Sequence, residues 1–440
     1  MNSFLRKFFI FLLLLATGLQ FAIGQNESAP EGLPLDELRT FTEVFAKIKN
    51  DYVEPVDDRK LLEDAIRGML AGLDPHSTYL DAESYNDLQE GTSGEFGGLG
   101  IEVGMEDGFI KVISPIDDTP AQKAGILPGD LIIKLDDTPV KGMALNDAVN
   151  RMRGKPGTDI TLTILRSNEE KPLQFTITRD VIKINSVRSR TLEPGYGYVR
   201  ISSFQARTGQ DLHTELENLK KENNNSIKGL ILDLRNNPGG VLNAAVDVSD
   251  IFLDKGLIVY TEGRIKDSEL RFNAKPVNVF DKVPMIVLVN EGSASASEIV
   301  AGALQDHKRA VIMGQKTFGK GSVQTILPMS NQAAVKLTTA LYYTPSGRSI
   351  QAAGITPDII IEKLTVSKIE DDGNGLVKEE NLSRHLENTG VIDEPVTTHD
   401  PDLQGQEDEA DKVPLSSSDY ELYEALNVLR GIVLSQKIKG

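Results

Sequence analysis

The amino-acid sequence predicts a multidomain α/β protein with an N-terminal helical domain, a small domain of short strands, an α/β core and a C-terminal helix. Three observations predict this order. Apolar residues recur at helical spacing within 33–90, short strands and turns fill 91–181, and strands alternate with helices over 182–364. The chain has 440 residues, 40% of them hydrophobic, which is enough for two or three domains with separate cores.

The N-terminus has the pattern of an export signal. Two basic residues, Arg6 and Lys7, precede an apolar run at 8–16, and small residues at 22–24 form a cleavage site. We therefore expect residues 1–24 to be a signal peptide and the protein to be exported to the periplasm. Retention of this segment as a membrane anchor is the alternative, although nine apolar residues are fewer than the roughly 20 that span a bilayer.

Residues 33–90 are predicted to form the N-terminal helical domain. The first helix would place six apolar side chains on one face: Leu35, Leu38, Phe41, Val44, Phe45 and Ile48. A second helix is predicted around 61–70. We expect these helices to pack together.

Residues 91–181 contain short predicted strands and two helical pieces. The glycine-rich run F-G-G-L-G-I at 96–101 resembles the carboxylate-binding loop of a PDZ domain, and P-A-Q-K-A-G-I-L-P-G-D further along matches that family's next segment. In such a loop, backbone N–H groups converge on a peptide's terminal carboxylate, and the peptide adds as a strand to the domain's edge. The resemblance implies peptide binding by Gly98, Leu99, Gly100 and Ile101. For the loop alone, a glycine-rich turn without a ligand is the alternative.

The α/β core, residues 182–364, contains a predicted buried strand at 227–234, followed by the turn R-N-N-P-G-G. The backbone N–H groups of Gly239 and Gly240 in this turn are candidates for an oxyanion hole. A later buried strand precedes Ser295, which would lie at the start of a helix. Because a helix N-terminus favours developing negative charge, the Ala296 N–H is the expected second donor.

Two motifs between residues 292 and 324, G-S-A-S-A-S-E and F-G-K-G-S-V-Q, indicate a serine nucleophile with a lysine base. The nucleophile would be Ser295 and the base Lys320. A serine hydroxyl needs a neutral base within hydrogen-bond reach, and lysine can serve when burial lowers its pKa. Ser293 and Ser297 are expected to belong only to a helix start rich in small residues.

The ordered motifs are similar to those of the carboxy-terminal processing proteases, also called tail-specific proteases. The matching segments are D-Y-V at 51–53, G-L-D-P-H-S-T-Y-L at 72–80, the PDZ segment, D-L-R-N-N-P-G-G at 233–240 and both catalytic motifs. The resemblance implies a serine endopeptidase that recognises the C-terminal tails of exported proteins through its PDZ domain. Ser295 would be the nucleophile and Lys320 the base, and Gln324 would orient the amine. Cleavage would proceed through an acyl-enzyme without a metal or organic cofactor.

The resemblance also bears on support residues and partners. Some family members carry a supporting acidic residue at the position of Asp306, but this aspartate would serve equally as a surface ion-pair partner. The expected partners are polypeptides with free C-termini, together with an adaptor or activator. Because helical ends mediate dimers in this family, we also expect a homodimer through the terminal helices.

The formal net charge of −18 is concentrated near the C-terminus. Between residues 370 and 411 there are fourteen acidic residues against two basic ones, so 365–415 is predicted to be an acidic linker or insertion. Apolar residues then return at helical spacing, with Ser418 as the predicted N-cap and Glu421 three residues later. We expect this C-terminal helix, 416–440, to dock on the main body.

The composition excludes several classes of function. The absence of Cys excludes cysteine proteases, thiolate zinc sites and disulfides, and no H-E-x-x-H motif of a metalloprotease is present. The negative charge argues against a nucleic-acid partner.

Two rival functions remain. A non-catalytic PDZ adaptor would be expected to lose the serine or the lysine, and a non-peptidase acyl hydrolase would not explain a receptor for peptide tails.

Overall fold

The computed structural model describes residues 33–167, 169–265, 269–276, 280, 283–364, 384 and 414–439. The predicted signal peptide and nearly all of the predicted acidic segment lie outside these residues. The chain divides into two compact units, residues 1–73 and 74–440. Within the described ranges, no helix combines the length and apolar character needed to cross a bilayer.

The described part of the first unit consists of two helices, α1 (Leu35–Asp51) and α2 (Asp58–Ala71). The Asp57 side chain caps α2 by accepting the Lys60 N–H at 2.9 Å, which explains where this helix begins. The predicted apolar face of α1 is present, but neither helix has a buried residue within the described chain.

The second unit combines helices and strands along its whole described length. The helices are α3 (Ala82–Ser93), α4 (Pro120–Lys123), α5 (Leu145–Met152), α6 (Thr208–Glu222), α7 (Leu242–Asp250), α8 (Ala296–Asp306), α9 (Leu415–Ser418) and α10 (Tyr420–Lys439). The strands up to the core are β1 (Thr78–Leu80), β2 (Glu95–Gly98), β3 (Ile101–Glu106), β4 (Phe109–Pro115), β5 (Leu131–Leu135), β6 (Thr138–Pro139), β7 (Asp159–Leu165), β8 (Leu173–Thr178) and β9 (Asp180–Lys183). The strands that follow are β10 (Val187–Glu193), β11 (Tyr196–Ile201), β12 (Gly229–Asp233), β13 (Leu257–Gly263), β14 (Arg271–Asn273), β15 (Met285–Val289), β16 (Val311–Gly314), β17 (Ser322–Pro328), β18 (Ala334–Tyr343) and β19 (Ile359–Ile360).

The predicted PDZ region forms an antiparallel sheet in the order β3-β4-β5-β7-β8, with β6 paired to β5. Alternate strand residues such as Ile110, Ile132 and Leu162 are fully buried in its core. Among the described strands, β3 has a partner on one side only, so its other edge is open. An open edge strand is the feature that a peptide needs in order to add to a sheet.

The core sheet has the order β10-β11-β12-β15-β16-β19 and is parallel from β11 onward. Leu230, Leu232 and Val287 face one hydrophobic cluster together with α6, α7 and α8. The alternate residues, among them Ile231 and Ile286, face a second cluster on the opposite side. Because both faces are covered, the strands are apolar throughout, as is typical of a parallel sheet.

The C-terminal helix α10 covers the second face of this sheet. Leu422, Ala425 and Leu429 are fully buried there, which confirms that the helix docks on the main body. Its predicted N-cap was wrong by one residue. Ser418 ends the short helix α9, and the Asp419 carboxylate accepts the Leu422 N–H at 3.1 Å.

A second, antiparallel sheet lies beside the core, with the order β1-β18-β13-β14 and with β17 paired to β18. The long strand β18 is central to this sheet. It has β17 along one edge, and β1 and β13 along parts of the other. This sheet brings residues from distant parts of the chain to the loop that carries Lys320.

Candidate active site

Ser295 lies where the chain passes from β15 into α8, at the carboxyl end of a buried core strand. It is 8% exposed, and its backbone has φ 55° and ψ −111°. A positive φ is uncommon for a residue other than glycine and costs conformational energy. The turn therefore holds the serine in a strained conformation at the N-terminus of a helix, where the helix dipole favours negative charge.

The buried carboxylate of Glu298 joins the two predicted catalytic residues. Its Oε2 accepts the backbone N–H of Ser295 at 2.8 Å and that of Lys320 at 2.9 Å. Its Oε1 accepts the Thr317 hydroxyl at 2.6 Å and the Gly319 N–H at 2.7 Å. Four donors thus surround a carboxylate with 0% exposure, which is how a buried charge is tolerated.

Lys320 lies in the loop between β16 and β17, and its side chain is half-buried. Burial lowers the pKa of Lys320 from its ordinary value, the positive charge of Lys336 lowers it further, and Asp74 acts in the opposite direction. A lowered pKa increases the fraction of neutral amine, which is the form that can act as a base.

The two side chains have different surroundings in this structure. The Ser295 side chain lies beside the phenol of Tyr342 on β18. Burial raises the pKa of Tyr342 to about 12, although the neighbouring Ser295 hydroxyl acts in the opposite direction. Among the described residues, the Lys320 amine has no hydrogen-bond or ion-pair partner. The structure therefore brings the backbones of Ser295 and Lys320 together through Glu298 without bonding their side chains directly.

The glycine turn predicted for the oxyanion hole lies directly against Ser295. Gly239 has φ 97°, and a Cβ added there would lie 2.6 Å from the Ala294 carbonyl oxygen, 2.8 Å from Ser295 Cβ and 2.9 Å from Ala296 N. A side chain is excluded at this position both by the backbone conformation and by these contacts.

Of the three N–H groups predicted to form the oxyanion hole, one is not available. The Gly239 N–H donates to Asn237 Oδ1 at 2.9 Å, so it is already used. The N–H groups of Gly240 and Ala296 have no acceptor among the described residues. The structure thus leaves these two of the three predicted donors free to receive an oxyanion.

The neighbouring serines hold the turn in place. The Ser293 hydroxyl donates to the Leu234 carbonyl at 2.8 Å, and the Ser297 hydroxyl donates to the Asn237 carbonyl at 2.9 Å. Both hydroxyls are therefore used by the fold, in agreement with the expectation that neither is the nucleophile.

Gln324 lies on β17, but its surroundings differ from the expected ones. Residues 320 and 324 would share one face only on a continuous regular strand, whereas β17 begins at Ser322 and has a register shift between Val323 and Gln324. The Gln324 amide nitrogen donates to Ser322 Oγ at 2.9 Å and to Thr338 Oγ1 at 3.4 Å. Its role in orienting Lys320 stays a prediction.

Asp306 lies at the far end of α8, about 16 Å along the helix from Ser295. Its carboxylate accepts the Ser346 N–H at 2.9 Å and pairs with Arg348. These contacts favour the ion-pair interpretation of Asp306 over a direct part in catalysis.

The predicted tail-binding loop follows β2. Leu99 is buried in the PDZ core, and Gly100, with φ 78°, turns the chain into the edge strand β3. The carbonyl oxygens of both residues accept hydrogen bonds within the domain, whereas their N–H groups have no described acceptor. Together with Gly98 and Ile101 at the ends of the flanking strands, the loop presents backbone donors beside an open sheet edge.

Sequence reasoning missed Glu298 and Tyr342. A signal for Glu298 was available, because a glutamate three residues after a serine at a helix start is the capping-box spacing. No local signal pointed to Tyr342, which comes to Ser295 from a strand 47 residues later in the chain.

Family models match most of the chain. Peptidase family S41 matches residues 195–361, a PDZ domain matches 97–178, and the N-terminal domain of the activating protease CtpB matches 19–84. The chain is also 54% identical over 328 residues to a carboxy-terminal-processing protease of Bartonella bacilliformis, which covers 74% of this chain and 75% of the relative. The chain belongs to the carboxy-terminal processing proteases of peptidase family S41.

Other members of the family are similar over comparable lengths. The carboxy-terminal processing protease CtpA of Bacillus subtilis is 37% identical and covers 84% of this chain and 80% of its own length. A solved structure of a photosystem II D1 C-terminal processing protease is 33% identical, with a TM-score of 0.43, and covers 73% of this chain and 86% of that chain. Membership of this family confirms the predicted resemblance, the multidomain fold with a PDZ domain, and a serine-type protease activity.

Proposed function

We propose that this carboxy-terminal processing protease cleaves peptide bonds with Ser295 as nucleophile and Lys320 as general base. The observation that carries the proposal is the shared attachment of both backbones to the buried carboxylate of Glu298. These two hydrogen bonds fix the backbone positions from which the Ser295 and Lys320 side chains extend. The half-buried setting of Lys320, which lowers its pKa, supports its role as the base.

The reaction follows from these positions. Neutral Lys320 takes the hydroxyl proton while Ser295 Oγ attacks the peptide carbonyl, and the N–H groups of Gly240 and Ala296 stabilise the oxyanion. The C–N bond then breaks, Lys320 returns the proton to the leaving amine, and water hydrolyses the acyl-enzyme. For the first step the Lys320 side chain turns toward Ser295, so that the serine hydroxyl donates its hydrogen bond to the neutral amine.

We propose that the PDZ domain receives the substrate's C-terminal tail. The free N–H groups of Leu99 and Gly100 would bind the terminal carboxylate, and the tail would pair with the open edge of β3. Polypeptides with free C-termini are therefore the proposed substrates, delivered with or without an adaptor or activator.

We also propose export to the periplasm, with residues 1–24 as the signal peptide, and a homodimer. The exposed apolar residues of α1, such as Phe41 and Val44, support a dimer through the N-terminal helices. The apolar face of α10 is already buried on the core sheet, so α10 is the weaker candidate.

The function is tested with an unfolded polypeptide that has a free, apolar C-terminus and with the same polypeptide amidated at its end. Cleavage is compared for the parent enzyme, Ser295→Ala, Lys320→Ala and the surface control Glu291→Gln. We expect both active-site variants to lose cleavage while they remain folded, the control to retain it, and amidation to weaken cleavage by the parent.

The other outcomes identify the rival functions. Retained cleavage in Lys320→Ala would remove the base assignment, and equal cleavage of free and amidated tails would remove the PDZ assignment. Tail binding without cleavage would favour the adaptor. Hydrolysis of a small ester without cleavage of any polypeptide would favour the acyl hydrolase.

A further inference from the structure

The motif D-P-H-S-T-Y-L at 74–80 has no part in the mechanism above, yet its first residue lies near the base. The Asp74 carboxylate accepts the N–H groups of His76 at 2.8 Å and Ser77 at 3.0 Å, and the Ser77 hydroxyl at 2.6 Å. It also accepts the hydroxyl of Thr338, on β18, at 3.1 Å. This cluster therefore connects the motif to β18, the strand that pairs with β17 and its residue Gln324.

The cluster has a fixed direction of hydrogen bonding. Burial alone would raise the pKa of Asp74, but the hydrogen bonds from Ser77, His76 and Thr338 lower it below its ordinary value, so the carboxylate is ionised and can only accept. The single hydroxyl proton of Thr338 points to Asp74. The Thr338 oxygen is then left as an acceptor toward its other neighbours.

One of those neighbours is the side-chain amide of Gln324. Its Nε2 donates to Thr338 Oγ1 at 3.4 Å, to Ser322 Oγ at 2.9 Å and to the Ser322 carbonyl oxygen at 3.3 Å. A carbonyl oxygen cannot donate, so Ser322 and Thr338 both select the orientation in which the NH₂ group faces them. The amide oxygen, Oε1, is left as the group offered on the other side.

This orientation matters for a lysine base. When Lys320 takes a proton it becomes an ammonium group with three donors and no acceptor. An amide oxygen turned toward it stabilises the ammonium, whereas an amide NH₂ would oppose one donor with another.

We propose that Asp74, Ser77 and Thr338 are positioning residues whose hydrogen bonds hold the Gln324 amide with Oε1 available to Lys320 in its protonated state. The inference rests on the proposed function, because only a Lys320 that acts as general base becomes protonated during the reaction. It assigns a role to the 74–80 motif, with Thr338 as the link between that motif and the amide.

The test compares Thr338→Val, which keeps the side-chain shape and removes the hydroxyl, with Thr338→Ser, which keeps the hydroxyl. The matched control is Thr339→Val. The Thr339 hydroxyl bonds to that of Thr325 at 2.7 Å, and successive residues of a strand point to opposite faces, so the control removes a similar bond on the other face of β18. All variants are assayed with the free-tailed polypeptide, and their unfolding in urea is measured.

We expect Thr338→Val to lower kcat about tenfold with KM unchanged, because the lost hydrogen bond acts in the proton-transfer step. Thr338→Ser should restore kcat to within about twofold of the parent, and Thr339→Val should behave like the parent. In a Gln324→Ala background, Thr338→Val should lower kcat no further, because its effect passes through the amide.

The proposed positioning of Gln324 is refuted if Thr338→Val and Thr339→Val have the same kcat. It is also refuted if Thr338→Val lowers kcat as much in the Gln324→Ala background as in the parent. A failure of the proposed function has a different signature, namely cleavage that survives Ser295→Ala or Lys320→Ala. The two results are separable. An inactive Ser295→Ala combined with a fully active Thr338→Val would refute the positioning of Gln324 and leave the proposed function in place.

Discussion

Replacing Glu298 by glutamine keeps the shape of the buried side chain and removes its charge. The carboxylate accepts four hydrogen bonds, two at each oxygen. Glutamine has one oxygen and one NH₂ group, so its NH₂ group must face two of the four donors that the carboxylate accepts. The favoured orientation places the NH₂ toward Thr317 and Gly319, because the Thr317 hydroxyl can rotate and accept while the backbone N–H groups of Ser295 and Lys320 keep the oxygen.

The structure sets the size of the effect. In that orientation one backbone N–H, that of Gly319, is left buried without an acceptor, which costs about 1–3 kcal/mol of the free energy of unfolding. Alanine at this position would leave three buried N–H groups without acceptors, for a cost of about 3–9 kcal/mol at the same value for each. That loss approaches the whole stability of a typical domain, about 5–15 kcal/mol.

We expect Glu298→Gln to lower kcat at least tenfold in addition to its effect on stability, because the loop that carries Lys320 loses one of its attachments. Urea unfolding and cleavage of the free-tailed polypeptide measure the two effects separately. The control is Glu291→Gln, since Glu291 pairs with Lys363 at the surface with 71% of its side chain exposed, and such exposed pairs contribute little to stability. Equal stability and equal kcat in the Glu298 and Glu291 variants would show that the carboxylate does not hold the site.

The same geometry leads to three further predictions. Gly239→Ala should abolish cleavage but retain tail binding, because its Cβ would meet backbone atoms beside Ser295; normal turnover would contradict this close approach. Lys336→Met should raise the Lys320 pKa by removing a positive neighbour, so the rise of kcat/KM with pH, which needs neutral Lys320, should move to higher pH; an unmoved profile counts against Lys320 as the base. Asp419→Ala should lower the free energy of unfolding by about 1–3 kcal/mol, because Arg235 loses a partner and α10 its cap; urea unfolding checks this, and an unchanged midpoint would contradict it.

Local patterns predicted much of the fold because they report local physics. Strands buried on both faces of a parallel sheet are continuous apolar runs. The strand before the R-N-N-P-G-G turn and the strand before Ser295 were therefore predictable from local sequence. The amphipathic spacing of α10 likewise showed that the helix needed a surface to cover. The surface itself, the second face of the core sheet, depended on strands far away in the chain.

The exact start of α10 was harder to predict, because both Ser418 and Asp419 are good N-cap residues. The choice between them was made by tertiary contacts. Arg235, two residues after β12, donates to both oxygens of the Asp419 carboxylate and also to the Glu421 carboxylate. An ion pair between residues 184 positions apart has no local signature.

Short runs of sequence were enough to predict the family and to propose the chemistry, through the serine and lysine motifs, the glycine turn and the PDZ loop. Each of these is a short run of residues whose backbone freedom or functional group is needed at that place. How these parts are held depends on tertiary contacts: Glu298 accepts the backbone N–H groups of Ser295 and Lys320, Asn237 accepts the Gly239 N–H, and Thr338 joins the Asp74 motif to Gln324. These contacts join loops and strands that are distant in sequence, and a buried polar group takes its partner from whichever segment the fold brings near.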